Sequence, residues 1–157
     1  AEDIQWMLDA VPNQHNGLTF CAGSFSAGEH NDCVAMAKQF ADRTHFVHLR
    51  SCHIFPNGNF TEASHLGGRG HLIELCRTFE KAEMEGKCNS GRRLPMRVDH
   101  GMTFTDQPGG VFDESNHGHN AGYTLLGRMF AMGQIQGVLA TVDSELGIEY
   151  KQPGFYD

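Results

Sequence analysis

Three residues of the kinds that bind divalent metals stand at or beside the ends of short apolar runs. They are Cys21, His48 and Asp99, and the β-type runs that they close or adjoin are 18–21, 45–49 and 94–98. A thiolate, an imidazole and a carboxylate form a ligand set that suits a divalent transition metal. Because chemistry in parallel sheets gathers at the carboxyl ends of the strands, three such ends predict one metal site.

Helical patterns alternate with these runs and predict βα units around a parallel sheet. The predicted helices have apolar faces within 4–11, 34–40, 72–79 and 123–133, and Asn31 or Asp32 can cap the second of them. Three stretches are predicted loops, namely 23–28, 50–70 and 101–120. The two long ones have a length that usually marks a functional segment. The residues expected in the core include Phe46, Val47, Leu75, Leu125 and Leu126.

Length, charge and cysteine content limit the classes of protein to consider. A chain of 157 residues suffices for one domain, but it is short for a closed eight-unit barrel of about 250 residues. The net charge of −7 argues against nucleic-acid binding, which requires a basic face. No apolar run of about 18 residues is present to span a membrane. The five cysteines contain no Cys-x-x-Cys pair, so a reducing, cytoplasmic setting is the simplest interpretation.

Each candidate ligand also has a plain structural interpretation. Cys21 can be a small buried apolar residue, and His48 can be a core histidine bonded to a backbone carbonyl. Asp99 can form an ion pair with Arg97, since a carboxylate beside a buried strand is costly unless it is paired or bound to metal. The occurrence of all three at strand ends favours the metal site.

Further polar residues near Asp99 could act on a substrate. Arg97 can bind a carboxylate in a bidentate manner or serve as a structural ion pair. His100 can transfer protons near neutral pH or orient a ligand. Tyr123 can donate a proton or pack at the top of the sheet. His65 could border the site, whereas most other histidines are expected to be solvated.

Several longer motifs resemble those of mannonate dehydratase, in the same order and with approximately the same spacing. They are EDIQWM (2–7), FCAGS (20–24), ND (31–32), QFADR (39–43), FVHLRS (46–51), FTEASHL (60–66), PMRVDHG (95–101) and GYTLLGR (122–128). The resemblance covers nearly the whole chain and is specific. It is a resemblance to the C-terminal part of that family.

The resemblance implies a fold, an activity and a set of roles. The fold is an α/β TIM-type (β/α)8 barrel, of which residues 1–157 are the C-terminal part of a single domain, with about three βα units. The activity is that of a lyase that converts D-mannonate into 2-keto-3-deoxy-D-gluconate in hexuronate (glucuronate) catabolism, with Mn²⁺ or Fe²⁺ and with Mg²⁺ as a further option. By matching position, the metal ligands carry over to Cys21, His48 and Asp99. The substrate and proton-transfer residues carry over to Arg97, His100 and Tyr123.

The sequence departs from the family pattern at several positions. Val98 stands where the family usually has Pro, Met102 where it has a second His, and 67–70 where it has an acidic stretch. The 107–119 loop is longer than usual, and the family's upstream ligand histidine has no counterpart here. These departures bear on substrate fit and on the activity of this chain alone.

Three recognisable strands cannot close a barrel, so the chain should have exposed sheet edges. We expect it to form a homo-oligomer or to pair with a missing N-terminal half, with D-mannonate as its small-molecule partner. Two other functions remain open. The chain could belong to another metal-dependent sugar enzyme such as an isomerase, or it could be an inactive half-barrel that acts as an interaction fragment.

Overall fold

The computed structural model describes residues 1–88, 91–102 and 122–149. The elements in chain order are α1 (Glu2–Ala10), β1 (Leu18–Cys21), α2 (Ala22–Ser26), α3 (Cys33–Phe40), a 3₁₀ turn (Ala41–Arg43), β2 (Thr44–His48), β3 (Cys52–Ile54), β4 (Phe60–Glu62), α4 (Leu72–Met84), β5 (Met96–Arg97) and α5 (Leu125–Leu146). Helices and parallel strands alternate along most of the chain, which confirms the predicted α/β class.

The main sheet consists of three parallel strands in the order β1, β2, β5. The register places Cys21 opposite His48, and His48 opposite Arg97. The carboxyl ends of the three strands therefore lie at one edge. Strand β5 is shorter than the predicted run 94–98, and Pro95, which has no N–H to donate, precedes its first residue.

The two faces of this sheet have different environments. Phe20 and Val47 are register partners, and both are completely buried. The ring of Phe20 lies 5.3 Å from that of Phe79 on α4, measured between centroids. Burial of a large apolar side chain of this kind stabilises the fold by about 1.5–3 kcal/mol. Since successive side chains of a strand point to opposite faces, Cys21 and His48 point away from the helices.

Helix α3 begins at a side-chain cap. The carboxylate of Asp32 accepts hydrogen bonds from the backbone N–H groups of Val34 and Ala35, at 3.0 and 2.9 Å. The sequence allowed Asn31 or Asp32 in this role, and the structure selects Asp32. Such a cap satisfies backbone donors that the first turn of a helix leaves without partners.

Two of the predicted loops contain regular structure, so those predictions are partly wrong. Helix α2 occupies most of 23–28, and an antiparallel β3–β4 hairpin lies within 50–70. The sequence Asn57-Gly58 is typical of a hairpin turn, and Gly58 has a φ of +84°. Each hairpin strand has only three residues, too few for an alternating pattern to be recognised in the sequence.

The predicted burial of the last helix is wrong over its first half. The helix begins at Leu125 rather than near Ala121, and Leu125, Leu126 and Met129 are 75%, 53% and 55% exposed. The buried residues of α5 include Ala131, Ile135, Val138 and Val142. The apolar residues of α5 are distributed around the whole circumference of the helix, so their spacing in the sequence does not single out one buried face. Phe46, also expected in the core, is half-buried.

Part of the remaining predictions lies outside the described residues. This holds for most of the predicted loop 101–120, including His117 and His119, and for the end of the tail after Gly147. All five cysteines are described, and all are free thiols. Within the described ranges, none of the helices combines the length and the apolar character needed to cross a membrane.

A carboxylate between α4 and α5 makes stability depend on pH. Burial raises the pKa of Glu80 to about 7, the carboxylates of Asp143 and Glu83 add to this effect, and Arg93 opposes it. The ordinary pKa of such a group is 4.5. Between these two values the folded state holds more protons than the unfolded state, so stability falls as the pH rises from about 4.5 to about 7.

We therefore expect Glu80→Gln to stabilise the full-length protein at pH 8, because it removes a carboxylate that must ionise in a partly buried place. The gain should be about 1 kcal/mol or less, since the group retains some contact with solvent. Urea unfolding at pH 5, 6, 7 and 8 measures the effect. Glu74→Gln, on the exposed side of the same helix, is the control. Equal pH slopes for wild type and Glu80→Gln would contradict the prediction.

Candidate metal centre

Three potential metal ligands converge at the carboxyl edge of the parallel sheet. Cys21 Sγ, a ring nitrogen of His48 and a carboxylate oxygen of Asp99 all lie within 4.8 Å of one another. Among the described residues, this is the one group of three such side chains that could hold a metal ion. Cys21 and His48 end neighbouring strands in register, and Asp99 follows β5 directly, so the sheet itself brings them together.

Asp99 is the most deeply buried of the three candidate ligands, with 4% of its surface exposed. Its φ of +50° is uncommon for a residue other than glycine and turns the chain sharply after β5. The Tyr123 hydroxyl donates to Oδ1 at 2.9 Å, and Arg97 Nη2 donates to the same oxygen. The second oxygen, Oδ2, lies 3.6 Å from His48 Nδ1. One carboxylate oxygen thus anchors the residue while the other faces the candidate ligands.

The protonation states of Asp99 and His48 suit metal binding. Burial raises the pKa of Asp99, but hydrogen bonds from Arg97 and Tyr123 outweigh it, so the pKa lies below its ordinary value. Burial lowers the pKa of His48, and the nearby Asp99 opposes this only in part. At pH 7 the carboxylate is therefore ionised and the imidazole neutral, as coordination requires. The donor set fits a divalent transition metal, to which Cys21 would add a soft ligand.

The predicted substrate and proton-transfer residues surround Asp99. Arg97 Nη2 lies 3.0 Å from the Tyr123 hydroxyl, and the rings of His100 and Tyr123 are 4.4 Å apart between centroids. His100 Nε2 lies 3.9 Å from Asp99 Oδ2. The structure thus brings all six residues singled out from the sequence into one cluster. The ion pair between Arg97 and Asp99, one of the two roles considered for Arg97, is present.

A close approach of two backbone segments holds Tyr123 beside His100. The N–H of Gly101 donates to the carbonyl of Gly122 at 2.8 Å. Gly122 has a φ of +96°, and a Cβ there would lie only 2.8 Å from the carbonyl oxygen of Gly101. A larger residue would separate the segments on either side of 103–121. The glycine therefore helps to place Tyr123, which precedes α5 by two residues.

Two charged residues at the site have no role assigned from the sequence. Arg50 lies two residues after His48 and donates from Nε and Nη2 to the carboxylate of Glu62 on β4. Glu62 Oε1 in turn lies 3.8 Å from His100 Nδ1. The sequence could have suggested Arg50, because this residue follows the end of a strand, as Asp99 does. Glu62, however, reaches the site only because the β3–β4 hairpin folds back.

His65 supports the turn at Asp99 from inside the protein, as its predicted place near the site suggests. It is buried, and its Nε2 donates to the carbonyl of Val98 at 2.9 Å. Burial lowers the pKa of His65, so this imidazole is neutral at pH 7. Three histidines expected to be solvated are exposed, namely His30, His53 and His71.

Comparison with known proteins decides the family. The family model described as D-mannonate dehydratase (UxuA) matches residues 1–148. This chain belongs to the D-mannonate dehydratase family. The assignment confirms the resemblance seen in the sequence motifs.

The chain is also similar to two curated relatives and to one solved structure. Mannonate dehydratase 2 of Agrobacterium fabrum is 38% identical over 146 residues, which are 92% of this chain and 35% of that protein. The mannonate dehydratase of Saccharophagus degradans is 37% identical over 145 residues, with coverages of 91% and 35%. The chain thus spans about a third of the length of these relatives. The crystal structure of mannonate dehydratase from Streptococcus suis serotype 2 has a TM-score of 0.74 and 21% identity, covers 99% of this chain and 41% of that one, and shows the shared fold.

Removal of any one of the three ligands should weaken metal binding. We expect Cys21→Ser, His48→Ala and Asp99→Asn in the full-length protein each to lower Mn²⁺ affinity by about 100-fold or more, since each removes a candidate ligand or replaces an anionic one with a weaker neutral one. Titration with Mn²⁺ and metal analysis after dialysis measure the effect. His53→Ala and Asp42→Asn change exposed residues away from the site and serve as controls. Unchanged metal content in all three variants would contradict the assignment of Cys21, His48 and Asp99 as metal ligands.

Proposed function

We propose that this chain carries the metal site and the proton-transfer groups of a mannonate dehydratase. The reaction is the dehydration of D-mannonate to 2-keto-3-deoxy-D-gluconate, a step of hexuronate (glucuronate) catabolism in the cytoplasm. The observation that carries the proposal is the convergence of Cys21, His48 and Asp99 in a chain of this family. The names of the relatives support the same reaction.

The proposed fold of the whole protein is a TIM-type barrel, with residues 1–157 as the C-terminal part of a single domain. Three parallel strands with helices between them support this proposal, as does the shared fold with the Streptococcus suis protein. A barrel of this kind has eight strands and places its active site at their carboxyl ends. The remaining strands, and further ligands, would come from sequence beyond this chain.

The donor set favours Mn²⁺ or Fe²⁺, with Mg²⁺ as a further option. Cys21, His48 and Asp99 would hold the ion, since a thiolate with an imidazole suits these transition metals better than it suits Ca²⁺. When bound, the metal would act as a Lewis acid that stabilises negative charge developing on the substrate carboxylate.

The residues around Asp99 can supply the two proton transfers. Dehydration of a sugar acid needs a base that takes the proton from C2 and an acid that protonates the hydroxyl leaving C3. Burial raises the pKa of Tyr123, and the hydrogen bond to Asp99 adds to this, so the phenol stays protonated at pH 7. Tyr123 is accordingly the proposed acid, and His100, whose ring packs against it, is the proposed base. Arg97 would neutralise charge beside them.

Conservative changes at these two residues should separate chemistry from metal binding. Tyr123→Phe and His100→Asn in the full-length enzyme should each lower kcat by about 100-fold or more, because each removes one proton-transfer group. Metal content should stay unchanged. The assay follows 2-keto-3-deoxy-D-gluconate, and His53→Asn, which changes an exposed residue of β3, is the control. A near-normal kcat in either variant would exclude that residue as a proton-transfer group. A ketose product would favour the alternative function, a metal-dependent sugar isomerase.

The isolated chain should be a poor catalyst that associates with itself or with the rest of the barrel. Leu125, Leu126 and Met129 present an exposed apolar surface, and the three parallel strands of the described residues form a sheet with open edges. Light scattering of purified residues 1–157 should show a mass above that of a monomer, and turnover with Mn²⁺ should be far below that of the full-length protein. A stable monomer with normal turnover would contradict the proposed barrel fold and the proposal that activity requires sequence beyond residues 1–157.

A further inference from the structure

Arg50 and Glu62 form a charged pair beside the candidate metal centre that the proposed mechanism does not use. Arg50 Nε lies 3.0 and 2.9 Å from the two carboxylate oxygens of Glu62, and Nη2 lies 2.5 Å from Oε1. Only 13% and 14% of the two side chains are exposed. A paired, fork-shaped contact of this kind fixes the plane of the guanidinium as well as its position.

The surroundings of Arg50 hold it in one place. A Cβ on Gly23, at the start of α2, would lie only 2.4 Å from Arg50 Cδ, so the side chain lies directly against that backbone. The guanidinium carbon lies 5.8 Å from the centre of the Phe60 ring, within the range of a cation–π contact. A glycine, an aromatic ring and a carboxylate thus hold the guanidinium of Arg50, which stands two residues beyond the end of β2 at His48.

The guanidinium is also within the electrostatic reach of the metal ligands. Its partner Glu62 lies 3.8 Å from His100, between Oε1 and Nδ1, and His100 Nε2 lies 3.9 Å from Asp99 Oδ2. The carboxylates of Glu62 and Asp99 repel an anionic substrate, and a guanidinium beside them lessens that repulsion in addition to the charge of a bound metal ion. Arg97 is already bonded to Asp99 and Tyr123.

The donors of Arg50 are only partly used. A guanidinium has five N–H groups, and the bonds to Glu62 involve Nε and Nη2. Its Nη1 group makes no hydrogen bond to another described residue. An arginine with its plane fixed on one side and donors left on another is suited to a carboxylate ligand.

We propose that Arg50 binds the carboxylate of the sugar acid and that Glu62 is the positioning residue that orients it. This inference rests on the proposed function, because it assumes an anionic sugar substrate at the metal centre. Glu62 Oε1 also lies 3.8 Å from His100 Nδ1. The same carboxylate therefore lies beside both Arg50 and the proposed base.

The first experiment compares binding and turnover in the full-length enzyme. Arg50→Gln should raise KM for D-mannonate about 10- to 100-fold, as expected for loss of a charged hydrogen bond, with a smaller change in kcat and unchanged metal content. It should also reduce, by a similar factor, the preference for binding D-mannonate over the uncharged D-mannitol. Arg77→Gln breaks another arginine–glutamate pair, at 2.9 Å from Glu145 on the surface, and should change neither quantity.

The second experiment tests the positioning role. Glu62→Gln should raise KM in the same direction as Arg50→Gln, and the double variant should be no worse than Arg50→Gln alone, because both changes act on one interaction. The double variant leaves no unpaired charge at a largely buried place, so it stays informative if a single variant fails to fold.

The outcomes distinguish this proposal from the proposed function. An unchanged KM and an unchanged preference for mannonate over mannitol, in folded Arg50→Gln or in the double variant, would overturn the role of Arg50 while the dehydratase assignment stands. If the variants lose metal or thermal stability but still prefer mannonate over mannitol, the Arg50–Glu62 pair has only a structural role. That result would also overturn the proposed role of Arg50. A wild-type protein that prefers mannonate through Arg50 but forms no keto-deoxy acid would support Arg50 and overturn the proposed reaction.

Discussion

The negative charge on Asp99 is the feature on which the rest of the centre depends. A buried carboxylate costs several kcal/mol unless hydrogen bonds or opposite charges compensate for the lost water. Arg97 and Tyr123 provide that compensation through one oxygen and leave the other toward His48. The groups that keep Asp99 ionised are the same groups that would meet the substrate. Arg97 and Tyr123 therefore stabilise the ionised form of Asp99 and, in the same arrangement, are placed for the proposed chemistry.

The parallel sheet converts this local arrangement into a site. Phe20 and Val47 pack in the core while their neighbours Cys21 and His48 point to the opposite face. The alternation has a period of two, so a slip of one residue between strands would send one ligand into the core and a core side chain to the site. The hydrophobic packing that stabilises the sheet thus also specifies which side chains meet at its edge.

Charge around the centre is balanced by two arginine–carboxylate pairs that differ in their surroundings. The side chain of Arg97 is 41% exposed beside nearly buried Asp99, whereas Arg50 and Glu62 are both largely buried. A pair shielded from water holds its geometry more firmly than an exposed pair, because the attraction is less screened. This difference suits Arg50 to a fixed orienting contact and Arg97 to keeping Asp99 charged.

The sequence by itself determined the chemical types at the strand ends, and hence the candidate ligands Cys21, His48 and Asp99, because each belongs to a short local pattern. The alternation of strands and helices, and the family motifs, are local in the same sense. The pairing of Arg50 with Glu62 was decided only by the tertiary structure, since it requires two three-residue strands to fold back as a hairpin. The buried side of α5 was also decided there, because its apolar residues lie all around the helix. In both cases the outcome depends on contacts between residues distant in sequence, which no local pattern contains.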